Sequence, residues 1–148
     1  MIVGVVVGLA VLFVSLLFRV VLGVPLPIEL VSDRLLPFVP VGLFVPSLGA
    51  VGGPILAKQL AFYSSIPLVI MAGVVAVRAY GRLERRRLPI LAASAIGVWL
   101  LALLVLWPAL ASNYHGLPPM EATLLSGAAL FVMVAVLAGA VYATDTVA

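Results

Sequence analysis

The sequence predicts an all-α integral membrane protein. Four transmembrane helices are expected, with a Pro/Gly-broken interfacial or re-entrant segment between the first and second. Three observations predict this. Of the 148 residues, 66% are hydrophobic and only 9% are charged, against roughly 25% charged in an average soluble domain. A soluble chain of this size has too little interior to hide so much apolar surface. The apolar residues fall in long uncharged runs, and a bilayer core of about 30 Å needs about 20 helical residues at 1.5 Å each. The charges gather between those runs. Residues 1–148 therefore read as a single polytopic domain.

The first span is expected over about 1–22. Residues 1–18 are uncharged and rich in Val and Leu, and Arg19 can snorkel from the end. A cleaved signal peptide is disfavoured. No basic residue precedes the apolar stretch, and Arg19–Gly23 leads into Pro25 and Pro27 without a small-x-small site. The second span is expected over 59–78, closed by Arg78. The third covers 88–111 and ends near Trp107 and Pro108. The fourth covers 122–144 and is closed by Asp145.

Residues 35–57 are also uncharged, and 25–57 as a whole is assigned as interfacial or re-entrant. Pro37, Pro40, Pro46 and Pro54 interrupt this stretch, and Gly42, Gly49, Gly52 and Gly53 loosen it. Each internal proline removes a backbone donor and costs about 3 kcal/mol in a helix. Lipid-exposed backbone has no water partner for the carbonyls so freed.

Orientation follows from arginine. Arg78, Arg82, Arg85, Arg86 and Arg87 crowd the loop between spans two and three, opposed only by Glu84. Basic short loops mark the cytoplasmic side. Both termini are then cytoplasmic in a multi-pass protein of the inner cell membrane, with 20–58 and 112–121 outside. Arg19, Arg34 and Lys58 fall on the outer side and weaken the bias without reversing it. Tyr63, Trp107 and Tyr114 are expected near the outer interface.

Composition excludes much chemistry. There is no cysteine, hence no disulfide, thiolate-bound metal or thiol nucleophile in this chain. The single histidine, His115, rules out a bis-histidine haem site built by this chain alone. The net charge of +3 reflects the arginine cluster rather than a phosphate-tracking surface, so no nucleic-acid partner is expected. No Walker loop, GxGxxG, GxSxG, HExxH or EF-hand pattern occurs. No span carries an ionisable residue near its middle, which argues against a proton-coupled transporter.

The densest polar patch is PIELVSDRLLP, residues 27–37. Pro27 can open a short helix, placing Glu29 and Asp33 at i and i+4 on one face with Ser32. Two carboxylates there can take a proton or a divalent cation. The preferred reading is a solvated face of an interfacial helix, with Arg19 or Arg34 pairing the acids. Arg19, Glu29, Asp33 and Arg34 thus form the candidate polar interfacial site. No catalytic, cofactor-binding or metal-ligating residue is assigned.

His115 reads as a solvated loop histidine, and Trp99 as a packing residue. Glu121 suits a helix N-terminus. Ser15, Ser64, Ser65, Ser94 and Ser126 can bond within their helices. Gly4 and Gly8, Ala93 and Gly97, and Ala135 and Gly139 repeat a small-xxx-small spacing. Packing inside the bundle is preferred over a dimer seam.

The stretch R-V-V-L-G-V-P-L-P-I-E-L-V-S-D-R-L-L-P, residues 19–37, resembles the N-terminal transmembrane region of bacterial and archaeal molybdopterin-dependent oxidoreductases of the sulfite-oxidase type. The resembling elements are Arg19, Gly23 to Pro25, Pro27, Glu29-Leu30, Asp33-Arg34-Leu35 and Pro37. The broken segment to Lys58 and the later spans follow in the same order. The resemblance implies a transmembrane bundle that precedes a catalytic domain. It implies a molybdenum cofactor held by that separate domain through a cysteine. No catalytic residue carries over, so this chain is expected to be the membrane part alone, as a fragment or a separately encoded subunit. Its ending, YATDTVA, comes abruptly after the fourth span.

The expected function is therefore a non-catalytic membrane domain or subunit with no cofactor of its own. Its partners are the lipid bilayer and a molybdopterin oxidoreductase domain that it anchors or docks. Two alternatives stay open: a small transporter or channel subunit using 25–57, and a quinone- or lipid-binding membrane subunit with an apolar pocket between 24 and 58.

Overall fold

A computed structural model of the chain describes residues 2–80 and 87–146, and it is all-helical over them. Helix α1 spans Ile2–Val21 and α2 spans Pro27–Leu35. A 3-10 turn over Leu36–Phe38 leads to α3, Val41–Val51. Then come α4 (Pro54–Tyr80), α5 (Arg87–Leu106), a 3-10 turn over Ala109–Ala111, and α6 (Pro119–Thr146). Four of these, α1, α4, α5 and α6, are long and apolar enough to cross a membrane. The chain runs up α1, down α4, up α5 and down α6. The end of α1, all of α2 and the α5–α6 connection gather at one end, called the cap here.

The boundaries differ from the expected ones where prolines act as helix starters. The second long helix begins at Pro54 rather than at 59, and α6 begins at Pro119 rather than at 122. Proline at the first helical position loses no hydrogen bond, because that donor has no intrahelical partner anyway. The third ends at Leu106 rather than at 111. Pro108 and the 3-10 turn bend the chain inward, burying Ala109 and Leu110.

Within 35–57 the prolines act unequally. Pro37 sits in the 3-10 turn and Pro40 precedes α3, whereas Pro46 is accommodated inside α3. The sharpest break is Gly52–Gly53, with φ of +91° and +103°, a region that disfavours side-chain-bearing residues.

Packing is tightest between α1 and α4. A Cβ at Gly4 would lie 2.6 Å from the Val74 Cα, and one at Gly8 would lie 2.6 Å from the Ile70 Cα. Gly73 answers from α4, where a Cβ would meet the Gly4 carbonyl oxygen and the Gly8 nitrogen at 2.6 Å. Three glycines thus let two backbones touch. The other two small-residue pairs do not pack inside the bundle as expected. Gly97 and Gly139 have open space where a Cβ would stand. The reason is the position of α5, which leans chiefly on α6 and leaves its Ala93–Gly97 face outward. Only 6% of the α5 spanning window is buried, against 33% of that in α6.

The α5–α6 contact is held by Trp99. Its indole N–H donates to the Gly127 carbonyl at 3.0 Å, and its ring meets Phe131 edge-on at 5.3 Å. An interhelical bond of this kind in a membrane protein is worth about 0.6 kcal/mol on average. The larger core cluster joins Val24 and Leu30 to Leu106, Leu110, Leu130 and Met133, close under the cap. A smaller one joins Val7, Tyr80, Leu91 and Val141 at the opposite end.

Ser15, Ser64, Ser65 and Ser94 each donate to a carbonyl three or four residues back in their own helix. Ser126 departs from that expectation. It is fully buried in α6, and its hydroxyl has no hydrogen-bond partner among the described residues. Trp107 and Tyr63 are exposed, as interfacial aromatics would be, but Tyr63 stands about 14 Å along α4 from Pro54 at 1.5 Å per residue.

The glycine contacts generate a contrast. Gly8→Leu is expected to cost roughly 1–3 kcal/mol through overpacking. Gly97→Leu, at an open site, is expected to stay within about 0.5 kcal/mol of wild type. Thermal unfolding in detergent micelles measures both.

Candidate functional site: the polar cap

The cap is built from helix ends. Helix α1 closes on Gly23, whose φ of +65° is the left-handed turn typical of a helix C-terminus. The orphan carbonyls beyond it are taken up by the α5–α6 connection. The Tyr114 backbone N–H donates to the Gly23 carbonyl at 3.1 Å, and the Asn113 side-chain amide donates to the Leu22 carbonyl at 3.4 Å. Asn113 also accepts from the His115 backbone N–H at 2.7 Å. The His115 imidazole lies directly against Gly23, where any Cβ would collide with it. His115 thus rests against the α1 terminus while staying exposed to solvent, as a loop histidine was expected to be.

Glu29 is the hub. It lies in the first turn of α2, behind Pro27, and its carboxylate reaches back to accept the Leu26 backbone N–H at 2.8 Å. This satisfies a donor at the helix start, and the negative charge suits the positive end of the helix dipole. Arg19, in the last turn of α1, grips the same carboxylate side-on. Its Nε lies 3.2 Å from Oε2 and its terminal amine donates to Oε1 at 3.2 Å. The Tyr114 hydroxyl donates to Oε1 at 3.0 Å, and the Arg19 guanidinium stacks 3.4 Å from the centre of the Tyr114 ring. Arg19 and Glu29 are each only about a quarter exposed. The cluster ties α1, α2 and the α5–α6 connection together.

Arg34 does not join this hub. Arg34 turns the other way, donating from Nε to the Val105 carbonyl at 3.1 Å, with its guanidinium 5.1 Å from the Phe38 ring centre. That caps an orphan carbonyl at the end of α5, where a cation also meets the negative end of the helix dipole. Asp33 follows Glu29 by one turn. Both carboxylates border an open cleft of about 350 Å³ that continues onto α3 and the start of α4.

Of the arginines assigned to set topology, Arg78 is exposed in the last turn of α4. Arg82, Arg85 and Arg86 lie outside the described residues, as do the side chains of Arg87 and Lys58. No group of three or more potential metal-ligating side chains occurs among the described residues. A cation on Glu29 would have to displace Arg19, the Tyr114 hydroxyl and the Leu26 amide. The arrangement is made to fix helix ends.

Sequence reasoning placed Tyr114 at the outer interface and His115 in a loop, but did not bring them or Asn113 into the cap. Tyr114 and Glu29 are 85 residues apart, and no local pattern links them. The first span was expected to end near residue 22, but nothing in the local sequence says what covers that end. No protein-family model, curated protein or solved structure matches this chain.

The Tyr114 phenol is raised above its ordinary 10.0, chiefly by burial, then by its hydrogen bond to Glu29 and by that carboxylate's charge. It therefore stays protonated, and donates, across the physiological range. The resulting stability is fully present below pH 10.0, where the unfolded phenol titrates, and is lost as pH rises through the higher folded value. Tyr114→Phe is expected to cost about 1 kcal/mol at neutral pH. It should also remove this alkaline component, so the gap to wild type narrows above about pH 10. Melting curves from about pH 8 to about pH 12 test it. A gap that stays constant would assign the loss to packing alone.

Proposed function

We propose that this chain is a non-catalytic, multi-pass membrane domain that anchors or docks a molybdopterin-type oxidoreductase. The observation that carries the anchoring role is the chemistry of the spanning helices. Their inner serines, Ser126 excepted, are closed onto their own helices, and the charged side chains sit in end turns, as Arg19, Arg78 and Glu121 do. Proton relays are built from titratable groups at depth. The cap supports the docking role, because Arg19, Glu29, Tyr114 and Arg34 lock three chain segments and the α5 terminus into one surface. The redox identity of the partner rests on the resemblance of residues 19–37 to the membrane regions of sulfite-oxidase-type enzymes.

In this reading the protein lies in the inner cell membrane. The arginine loop from Arg78 to Arg87 and both termini are cytoplasmic, and the cap faces outward. The chain lacks native cysteine, which makes this directly measurable. Ser112→Cys and Ser47→Cys are expected to react with an impermeant maleimide on intact cells, and Arg85→Cys only after permeabilisation. The reverse pattern would invert the topology and put the cap on the cytoplasmic side.

The docking role predicts a stable complex. The tagged chain, extracted from its native membrane in mild detergent, is expected to bring down a cysteine-bearing molybdopterin protein. Mass spectrometry and molybdenum content read the result. Repeated isolation without any oxidoreductase overturns the proposal.

A further inference from the structure

We infer that the groove between α4 and α5, at the arginine end of the bundle, is a binding site for one acyl chain of an anionic phospholipid from the leaflet at that end.

The groove follows from how the helices pair. Gly4, Gly8 and Gly73 draw α4 onto α1, and the bond from Trp99 to Gly127 draws α5 onto α6. Helices α4 and α5 are not among the closely packed pairs, and a gap is left between them. One wall is α4 at Ala76 and Ala79, and the other is α5 at Ser94, Ala95 and Val98. The floor is α6 at Val134, Leu137 and Ala138. Tyr80, Leu91 and Val141 close the arginine end, where they are buried in the smaller core cluster.

Size and chemistry select a hydrocarbon chain. The groove holds about 190 Å³. One turn of α-helix, about 5.4 Å long and about 10 Å across, fills roughly 400 Å³, so a helix of a second copy cannot sink into it. The Ser94 hydroxyl donates to the Leu91 carbonyl at 2.9 Å and is turned onto its own helix. The remaining walls are alanine and aliphatic side chains with the Tyr80 ring. Left unfilled, both walls would lose their dispersion contacts, and a flexible chain of methylenes restores them.

Depth and charge select the lipid. From Leu91 to Val98 the groove runs about 10 Å at about 1.5 Å per residue, so it stays within one leaflet, half of a core of about 30 Å. A chain lying in it belongs to a lipid whose headgroup is at the arginine end. By sequence that end carries Arg78, Arg82, Arg85, Arg86 and Arg87 against two acids, Glu84 and Asp145. Arg78 is exposed in the last turn of α4, and Arg87 opens α5 one turn before Leu91. Basic residues clustered beside a spanning helix attract anionic head groups. The inference depends neither on which side of the membrane this end faces nor on an oxidoreductase partner.

The test uses the whole chain in detergent with dioleoyl phosphatidylglycerol or dioleoyl phosphatidylcholine added, and bound lipid read by native mass spectrometry. The two lipids share their chains and differ in net charge. The expected result is about tenfold greater retention of phosphatidylglycerol, the attraction of one or two basic residues to an anionic head. Ala95→Phe, which fills the groove, is expected to bring that retention down to the level of phosphatidylcholine. Ala93→Phe, on the exposed face of α5 outside the groove, is expected to leave it unchanged. Circular dichroism confirms that both variants are folded. If Ala95→Phe does not fold, phosphatidylglycerol carrying a diazirine in its acyl chain decides on the wild type. Adducts on Ser94, Ala95 and Val98 rather than on Ala92, Ala93 and Ile96 support the groove, and an even spread overturns it. Equal retention of the two lipids overturns the proposal, as does retention that Ala95→Phe leaves intact, or a lipid-free dimer that Ala95→Phe disrupts.

Discussion

A helix leaves its last four carbonyls and first four amides without partners, and near a bilayer water does not reliably supply them. The cap of this protein is organised around that constraint. The carbonyls ending α1 are met by Asn113 and Tyr114. A carbonyl ending α5 is met by Arg34 from α2. The amide beginning α2 is met by Glu29. The bonds from Asn113, Tyr114 and Arg34 close one segment's terminus with a group from another, so there satisfying the backbone and fixing the tertiary arrangement are the same event. The ion pair between Arg19 and Glu29 gains its weight from this setting. An isolated exposed pair contributes about 0–1 kcal/mol. Here the same carboxylate also holds a helix start and a phenol, so truncating it would release three groups at once, at a cost of roughly 2–3 kcal/mol.

Away from the cap the logic changes from hydrogen bonds to shape. Gly4, Gly8 and Gly73 let α1 and α4 approach until backbone meets backbone, which is how helices associate where lipid tails are as apolar as side chains. Helix α5 has no such partner face turned inward, and it relies on Trp99 and its contacts with α6. The bundle is therefore uneven, with a tight α1–α4 pair, a well-buried α6, and an α5 that is mostly lipid-facing.

Four spanning helices could be read from the sequence because bilayer thickness sets a length that apolar runs either meet or miss. The ends were less readable. Pro54 and Pro119 look like breakers in a one-dimensional scan, yet each opens a helix. The candidate residues were legible as a polar patch, and Glu29 with Arg19 was among the pairings considered. Tyr114 was not, because its role depends on a fold that returns the chain to the same place 85 residues later. The split between Arg19, which joins Glu29, and Arg34, which leaves for α5, is likewise a matter of which way α2 faces. No spacing rule carries that information. The small-residue pairs show the same limit: the identical spacing packs at Gly4 and Gly8 and faces outward at Ala93 and Gly97.

The closure of α1 by Asn113 also has a temporal side. Leu22 and Asn113 are 91 residues apart. At a synthesis rate of about 5–20 residues per second, the first helix waits roughly 5–18 s for the segment that completes it. Through that interval α1 stands in the membrane with an unfinished end, and only the emergence of the third span supplies the missing partners. The cap is thus a late-closing latch on an early-inserted helix, made after the α1–α4 pair and just before α6.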